Sequence, residues 1–429
     1  MTDAPTVAPV TPASAAEASD VRLIVGLRPG TRAAEADSAH QRAGATRVAR
    51  IPQLGAEVVT VSAAQRDVSL ASYQQEGRVT YAEVDHRAAA TEVPNDPGAG
   101  SQWGLSKSGA YWAWDVTQGS PAVKIAVLDS GADLGHPDIA TKIAGSANFT
   151  SLSAGSCPLN PAAVADVYGH GTHVAGIAAA ATGNGVGVAG VGRNSSLLIG
   201  KVLADDGLGY YSWIACGITW AADSGAKVIN LSLGATYPST LLENAVNYAA
   251  GKGVVVVAAA GNSGSTTQFY PAAYGNVIAV GSTNTSDQLS SFSNRGGWVS
   301  LVAPGESIYA TLPRNPNSMG SSNYGWLSGT SMASPHVAGV AALVWAAGAT
   351  SAAQVRSILL STADATPGTN VTFSNGRLNS HRAVLAAKAL QPPAPPPPSG
   401  TPSPAQAGRS ASVSSNGSGP VLAAPSPRR

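Results

Sequence analysis

Between residues 123 and 280, short apolar runs rich in β-branched residues alternate with helical segments, and this alternation constrains the fold more than any other feature. The runs are 123–128, 197–203, 228–231, 254–259 and 277–280; the helical segments begin at His170 and cover 211–222 and 239–250. Strands that are apolar throughout must be covered on both faces. Alternation with helices predicts an α/β fold: a doubly wound, mostly parallel sheet with helices on both faces. No apolar stretch reaches the roughly 18 residues of a membrane-spanning helix.

The length of 429 residues allows two or three domains. Four segments differ in character. Residues 1–20 are rich in Ala, Pro, Thr and Ser, without the basic and apolar regions of a secretory signal. Residues 21–91 read as a small α+β domain, with strands at 21–25, 57–61 and 79–84 and helices at 33–43 and 68–73. Residues 92–390 hold the alternating pattern. Residues 391–429, which contain PPAPPPPSG, predict an extended, solvated tail. Only 11% of residues are charged and the net charge is +1, which argues against a nucleic-acid partner.

Three motifs carry chemistry. The first strand ends in an acid, Asp129, followed by Ser130 and Gly131. The string Gly169-His170-Gly171-Thr172-His173-Val174-Ala175-Gly176 opens a helix. Gly329-Thr330-Ser331-Met332-Ala333-Ser334-Pro335-His336 places Ser331 just before a second apolar helical run. A serine hydroxyl is weakly nucleophilic and needs a base, and the base needs an acid to fix its tautomer. A helix N-terminus adds free N–H groups that stabilise negative charge. Read alone, Ser331 is equally a helix N-cap, Asp129 a turn residue, and the His170/His173 spacing a metal pair. No HExxH string accompanies that pair. Gly185 to Gly190 fits GxGxxG, but a helix precedes it where a dinucleotide site needs a strand.

With these motifs in the order Asp, His, Ser, which is that of subtilisin, the chain resembles the subtilisin-like serine peptidases, and within them the thermitase group. The resemblance spans roughly residues 20 to 390. It implies a secreted, monomeric serine endopeptidase that acts on protein and peptide substrates. Asp129 orients His170, His170 is general base and then acid, and Ser331 is the nucleophile. Asn262, in Ala-Gly-Asn-Ser-Gly after a strand, matches the oxyanion-hole asparagine. Substrate would pair with Gly207, Leu208 and Gly209 on one side and Ser232, Leu233 and Gly234 on the other, where glycines permit close backbone approach. Tyr211 would wall a distal subsite. Phe269 departs from the thermitase pattern. It either shortens the primary pocket, favouring small P1 side chains, or points into the core. The absence of GxSxG argues against the α/β-hydrolase class.

The resemblance further implies that residues 21–91 are an inhibitory propeptide, with the maturation cut at the Thr91-Glu92 bond. It also implies a structural calcium ion, with side-chain ligands Asp96, Asp138 and Asn184 and backbone carbonyls of Ala181, Val186 and Val188; oxygen donors from an irregular loop suit Ca²⁺. The family's second calcium site falls in a segment, 145–168, that departs from the pattern. Cys157 and Cys216 read either as two buried thiols or as a disulfide joining the loop before His170 to the helix at 211–222, and export favours the disulfide. Met332, beside Ser331, is a site for peroxide if it is accessible.

Overall fold

The computed structural model describes residues 20–85, 93–150, 157, 164–365 and 375–391. The Thr91-Glu92 bond and the Pro-rich tail lie outside the described residues. The chain divides into two compact units.

The first unit comprises β1 (Asp20–Leu27), α1 (Ala33–Arg42), β2 (Thr46–Ile51), β3 (Ala56–Ser62), α2 (Arg66–Gln74) and β4 (Val79–Val84). The strands form an antiparallel sheet in the order β2-β3-β1-β4. Leu23, Val25, Val59 and Val61 alternate along β1 and β3 and share one small core with Tyr73 of α2, as the two-residue strand period requires. Strand β2 is absent from the sequence reading. Every one of its residues is exposed, so it carries no buried apolar alternation to reveal it.

The second unit begins with α3 (Trp103–Lys107) and α4 (Ala110–Val116). Then come β5 (Lys124–Asp129), β6 (Ile143–Asn148), α5 (His170–Ala179), β7 (Ser196–Lys201), α6 (Tyr211–Asp223), β8 (Ala226–Leu231), α7 (Thr240–Gly251) and β9 (Val255–Ala259). It closes with β10 (Val277–Thr283), β11 (Leu301–Pro304), β12 (Ile308–Thr311), β13 (Tyr324–Leu327), α8 (Thr330–Ala347), α9 (Ala352–Ser361) and α10 (Ser380–Lys388). Seven parallel strands run in the order β11-β10-β9-β8-β5-β7-β6. The expected doubly wound sheet is therefore present. Strands β6 and β11 and the β12–β13 pair were not expected. The first mixes small and polar residues, and the others span four residues each.

Alternate residues of each central strand face different cores. Ile125 and Val127, Val255 and Val257, and Ile278 and Val280 join the core that α5, α8 and α10 cover. Ala126 and Leu128, Val256 and Ala258, and Val277 and Ala279 join the core under α6 and α7. Each fully buried Val, Leu or Ile contributes roughly 1.5–3 kcal/mol, so both faces hold the sheet. Asp129 has the parity of Ile125 and Val127 and so belongs to the α5/α8 face. Strand β5 lies between β7 and β8, where successive crossovers leave in opposite directions. In open α/β sheets the crevice at the strand carboxyl ends at such a point is where ligands bind. Cys157 and Cys216 are joined, with Cα atoms 5.5 Å apart, so the disulfide and not the free-thiol alternative holds.

Candidate active site

Asp129 ends β5 with no exposure to solvent. Its Oδ1 accepts a hydrogen bond from His170 Nδ1 at 2.8 Å and from Ser130 N at 2.7 Å. His170 is the first residue of α5. Burial disfavours its charged form, but the charge and hydrogen bond of Asp129, with the charge of Asp166 beyond, outweigh this and raise its pKa. The rival acid, Asp133, is instead engaged by Arg314, at 2.8 and 3.0 Å. The rival histidine, His173, donates through Nε2 to the Gly325 carbonyl at 3.1 Å, and burial pushes its pKa down to about 3.

Ser331 is the second residue of α8. Its hydroxyl donates to the Ser232 carbonyl at 3.2 Å. Asn262 follows β9 across Ala260 and Gly261. Its Oδ1 accepts from Thr330 N at 2.8 Å and Thr330 Oγ1 at 2.9 Å, which leaves Nδ2 as the free end of the amide. A Cβ built on Gly329 would stand 3.3 Å from Asn262 Nδ2 and 3.6 Å from Ser331 N. Two donors, one from a side chain and one from a helix N-terminus, thus flank a single point.

A cleft of about 400 Å³ gathers His170, Ser331, Asn262 and Thr330 together with Gly207, Leu208, Gly209, Tyr211, Ser232, Leu233, Gly234 and Phe269. All the cleft residues expected from sequence are brought together. The Phe269 ring lines the cleft, wedged between the backbones of Gly234 and Gly261, so of its two alternatives the cleft position holds. Two of the glycines have a further reason within the fold. A Cβ on Gly209 would meet the Val202 carbonyl at 2.3 Å, and one on Gly234 the Tyr270 carbonyl at 2.4 Å. Packing within this chain already demands glycine there. Met332 is buried, 1% exposed, which shields its sulfur.

The expected calcium residues also converge. Asp96 accepts from Gly183 N at 2.7 Å and Asn184 N at 3.3 Å. Asp138 accepts from Asn184 Nδ2, Val188 N and Tyr324 OH at 2.9, 2.9 and 3.1 Å, while its carbonyl accepts from Ala181 N at 2.7 Å. Val186 N donates to Asn184 Oδ1 at 2.9 Å. Burial raises the Asp138 pKa against these hydrogen bonds. Among the described residues no three acid, histidine or cysteine side chains form a metal cluster.

The model of the subtilase family matches residues 120–380, and that of the fervidolysin N-terminal prodomain matches residues 4–85. The chain belongs to the subtilase family. It is 43% identical to a thermophilic serine proteinase of Bacillus sp. (strain AK1), over 84% of this chain and 86% of that one. It is 48% identical to thermitase of Thermoactinomyces vulgaris, over 68% of this chain and 99% of that one. A solved protease from Pseudoalteromonas arctica PAMC 21717 superposes with a TM-score of 0.61 at 33% identity, covering 69% of this chain and all of that one. This subtilase is a serine protease, a hydrolase, with an N-terminal prodomain.

Four side chains that hold the site were not foreseen. Asp166, buried at 6% exposure, accepts from Ser130 Oγ, Gly169 N, Thr172 N and Thr172 Oγ1 at 2.6–2.8 Å. It caps α5 of the subtilase from outside the helix. Ser130 Oγ also accepts from Gly171 N at 2.9 Å, and its carbonyl accepts from Lys201 Nζ at 2.6 Å. Asn230 lies behind Ser232. An acid four residues before His170, with Thr172 following, is the one signal that pointed to such a cap. The raised pKa of His170 leads to a prediction. Its imidazole should titrate above the ordinary 6.5, and Asp129→Asn should bring it down. NMR titration of the ring protons checks this, and an unchanged pKa in the variant would contradict the assigned cause.

Proposed function

We propose that this subtilase is a secreted serine endopeptidase that cleaves proteins through an acyl-enzyme and is made as a zymogen that cuts itself near the Thr91-Glu92 bond. The observation that carries the reading is the Asp129–His170 hydrogen bond in the wall of the cleft that holds Ser331 and Asn262. With Nδ1 held by Asp129, Nε2 is the nitrogen left to take the Ser331 proton. The Ser331 oxygen then bonds to the substrate carbonyl carbon, and the carbonyl oxygen becomes an anion. Asn262 Nδ2 and Ser331 N–H donate to that anion; losing one such donor typically costs about 10²–10³ in rate. The imidazolium gives its proton to the amide nitrogen as the C–N bond breaks. Water, deprotonated by the same His170, releases the acid product and restores Ser331.

Substrate lies extended between residues 207–209 and 232–234, with Tyr211 at a distal subsite. Phe269 occupies the base of the primary pocket and favours small P1 side chains, a class to which Thr91 belongs. The prodomain is the enzyme's own inhibitor until it is cut off. The secreted address is supported by the disulfide, since disulfides persist in oxidising compartments.

Calcium fits Asp96, Asp138 and Asn184 with the carbonyls of Ala181, Val186 and Val188. Both carboxylates are buried and held only by neutral donors among the described hydrogen bonds. A hard cation supplies the charge that such a pair of acids needs. These residues would tie the start of the mature chain to the loop after α5.

Three outcomes are expected. Intact mass and N-terminal sequencing should find the wild type cut near Thr91-Glu92 and the Ser331→Ala variant whole; a variant cut at the same bond would refute self-processing by Ser331. Removing calcium with EDTA should lower the melting temperature, because a ligand bound only to the folded state stabilises it; an unchanged melting curve would remove the ion from the account. A library scanning P1 should be led by small residues, and Phe269→Gly should widen it toward large ones. A wild-type preference for Phe or Leu would sink the role given to Phe269.

A further inference from the structure

Pro335 is the sixth residue of α8, and its nitrogen carries no hydrogen. At that position a helix N–H would donate to the carbonyl four residues back, which is that of Ser331. The proline ring also crowds that carbonyl and tilts it away from the helix axis. The Ser331 carbonyl nevertheless has a partner. Ser232 Oγ donates to it at 2.8 Å. Asn230 Nδ2 donates in turn to Ser232 Oγ at 2.9 Å. Asn230 is fully buried, and its Oδ1 accepts from Ser334 Oγ, the residue just before the proline, at 2.6 Å. Ser331 Oγ closes the circuit by donating to the Ser232 carbonyl at 3.2 Å. Two segments 99 residues apart in sequence are thus locked to each other by bonds in both directions.

We propose that Ser232 Oγ replaces the hydrogen bond that Pro335 removes from α8, and that Ser232 and Asn230 are positioning residues fixing the first turn of the helix that carries Ser331. The inference rests on the reading of Ser331 as nucleophile. Both catalytic contributions of Ser331, its hydroxyl and its N–H, belong to the residue whose carbonyl is held this way. A released carbonyl, part-buried at this place, would lose its partner, and the turn would shift to satisfy it. The pairing also explains why a proline is tolerated inside a buried helix, where it normally weakens or kinks it. The missing bond is made from the next layer of the fold.

The test uses the full chain, matured with a trace of wild-type enzyme, as wild type, Ser232→Ala, Ser232→Thr, Pro335→Ala and the double variant Ser232→Ala/Pro335→Ala. A sulfonyl fluoride labels the nucleophile, and peptide mapping locates the label. Then kcat and KM for a peptide anilide are measured per labelled site. A displaced nucleophile typically loses about tenfold or more in kcat, so Ser232→Ala should lose about that much, with KM within about twofold. Ser232→Thr, which keeps a hydroxyl, should lose less in kcat than Ser232→Ala. The double variant regains an N–H at position 335 and should recover kcat to within about threefold of Pro335→Ala. A general loss of packing would not be repaired by a second substitution, so this recovery separates positioning from bulk stability. An unchanged kcat in Ser232→Ala overturns the inference, as does a double variant no faster than Ser232→Ala. Should Ser232→Ala fail to fold, recovery of folded, labelled protein in the double variant supports the inference and continued failure overturns it. A wild type labelled elsewhere than Ser331 overturns the nucleophile reading itself, which the other outcomes leave standing.

Discussion

Two helices, α5 and α8, begin inside the protein, and the need to satisfy their buried first turns organises everything around the cleft. An α-helix leaves its first N–H groups without internal partners. Neither Gly169 nor Gly329, the residues before these helices, has a side chain to cap them. The partners therefore come from other elements. Asp166 and Ser130 take the N–H groups of Gly169, Gly171 and Thr172. Asn262 takes that of Thr330. The groups that cap the helices are thus the groups that build the site.

The sheet supplies the frame on which these ends meet. Because β5 sits between β7 and β8, the carboxyl ends of three neighbouring strands deliver Asp129, Lys201 and the Asn230–Ser232 segment to one edge. The two-residue period of β5 then sends Asp129 to the face that α5 and α8 cover. A shift of one residue in that strand would turn the carboxylate toward α6 and α7. Dense packing along α8, where Val337 through Val344 are completely buried, leaves the helix little freedom to move its first turn.

Much of this was legible from residues alone. The parallel sheet followed from strands that are apolar on both faces. Asp129, His170, Ser331 and Asn262 were legible because each sits in a short string that resembles a motif of the family. The cap made by Asp166 was not read, because an acid in a polar loop looks like any solvated acid until the fold buries it. Asn230 and Lys201 lie at strand ends, where polar residues normally mark the way out to solvent. Strands β2, β6 and β11 to β13 escaped notice because they are exposed, mixed in character or only four residues long.

The sequence by itself determined the class of fold and the order of the chemical groups, since these depend on local periodicity and short strings. Only the tertiary structure decided that Phe269 lines the cleft, that the glycines at 209 and 234 answer to their own chain's packing, and that Ser232 completes a bond that Pro335 forfeits. These are contacts between residues far apart in the chain, and a linear pattern holds no distance between them. Burial turns each one from a neutral surface option into a requirement, because a polar group removed from water must find its partner within the fold.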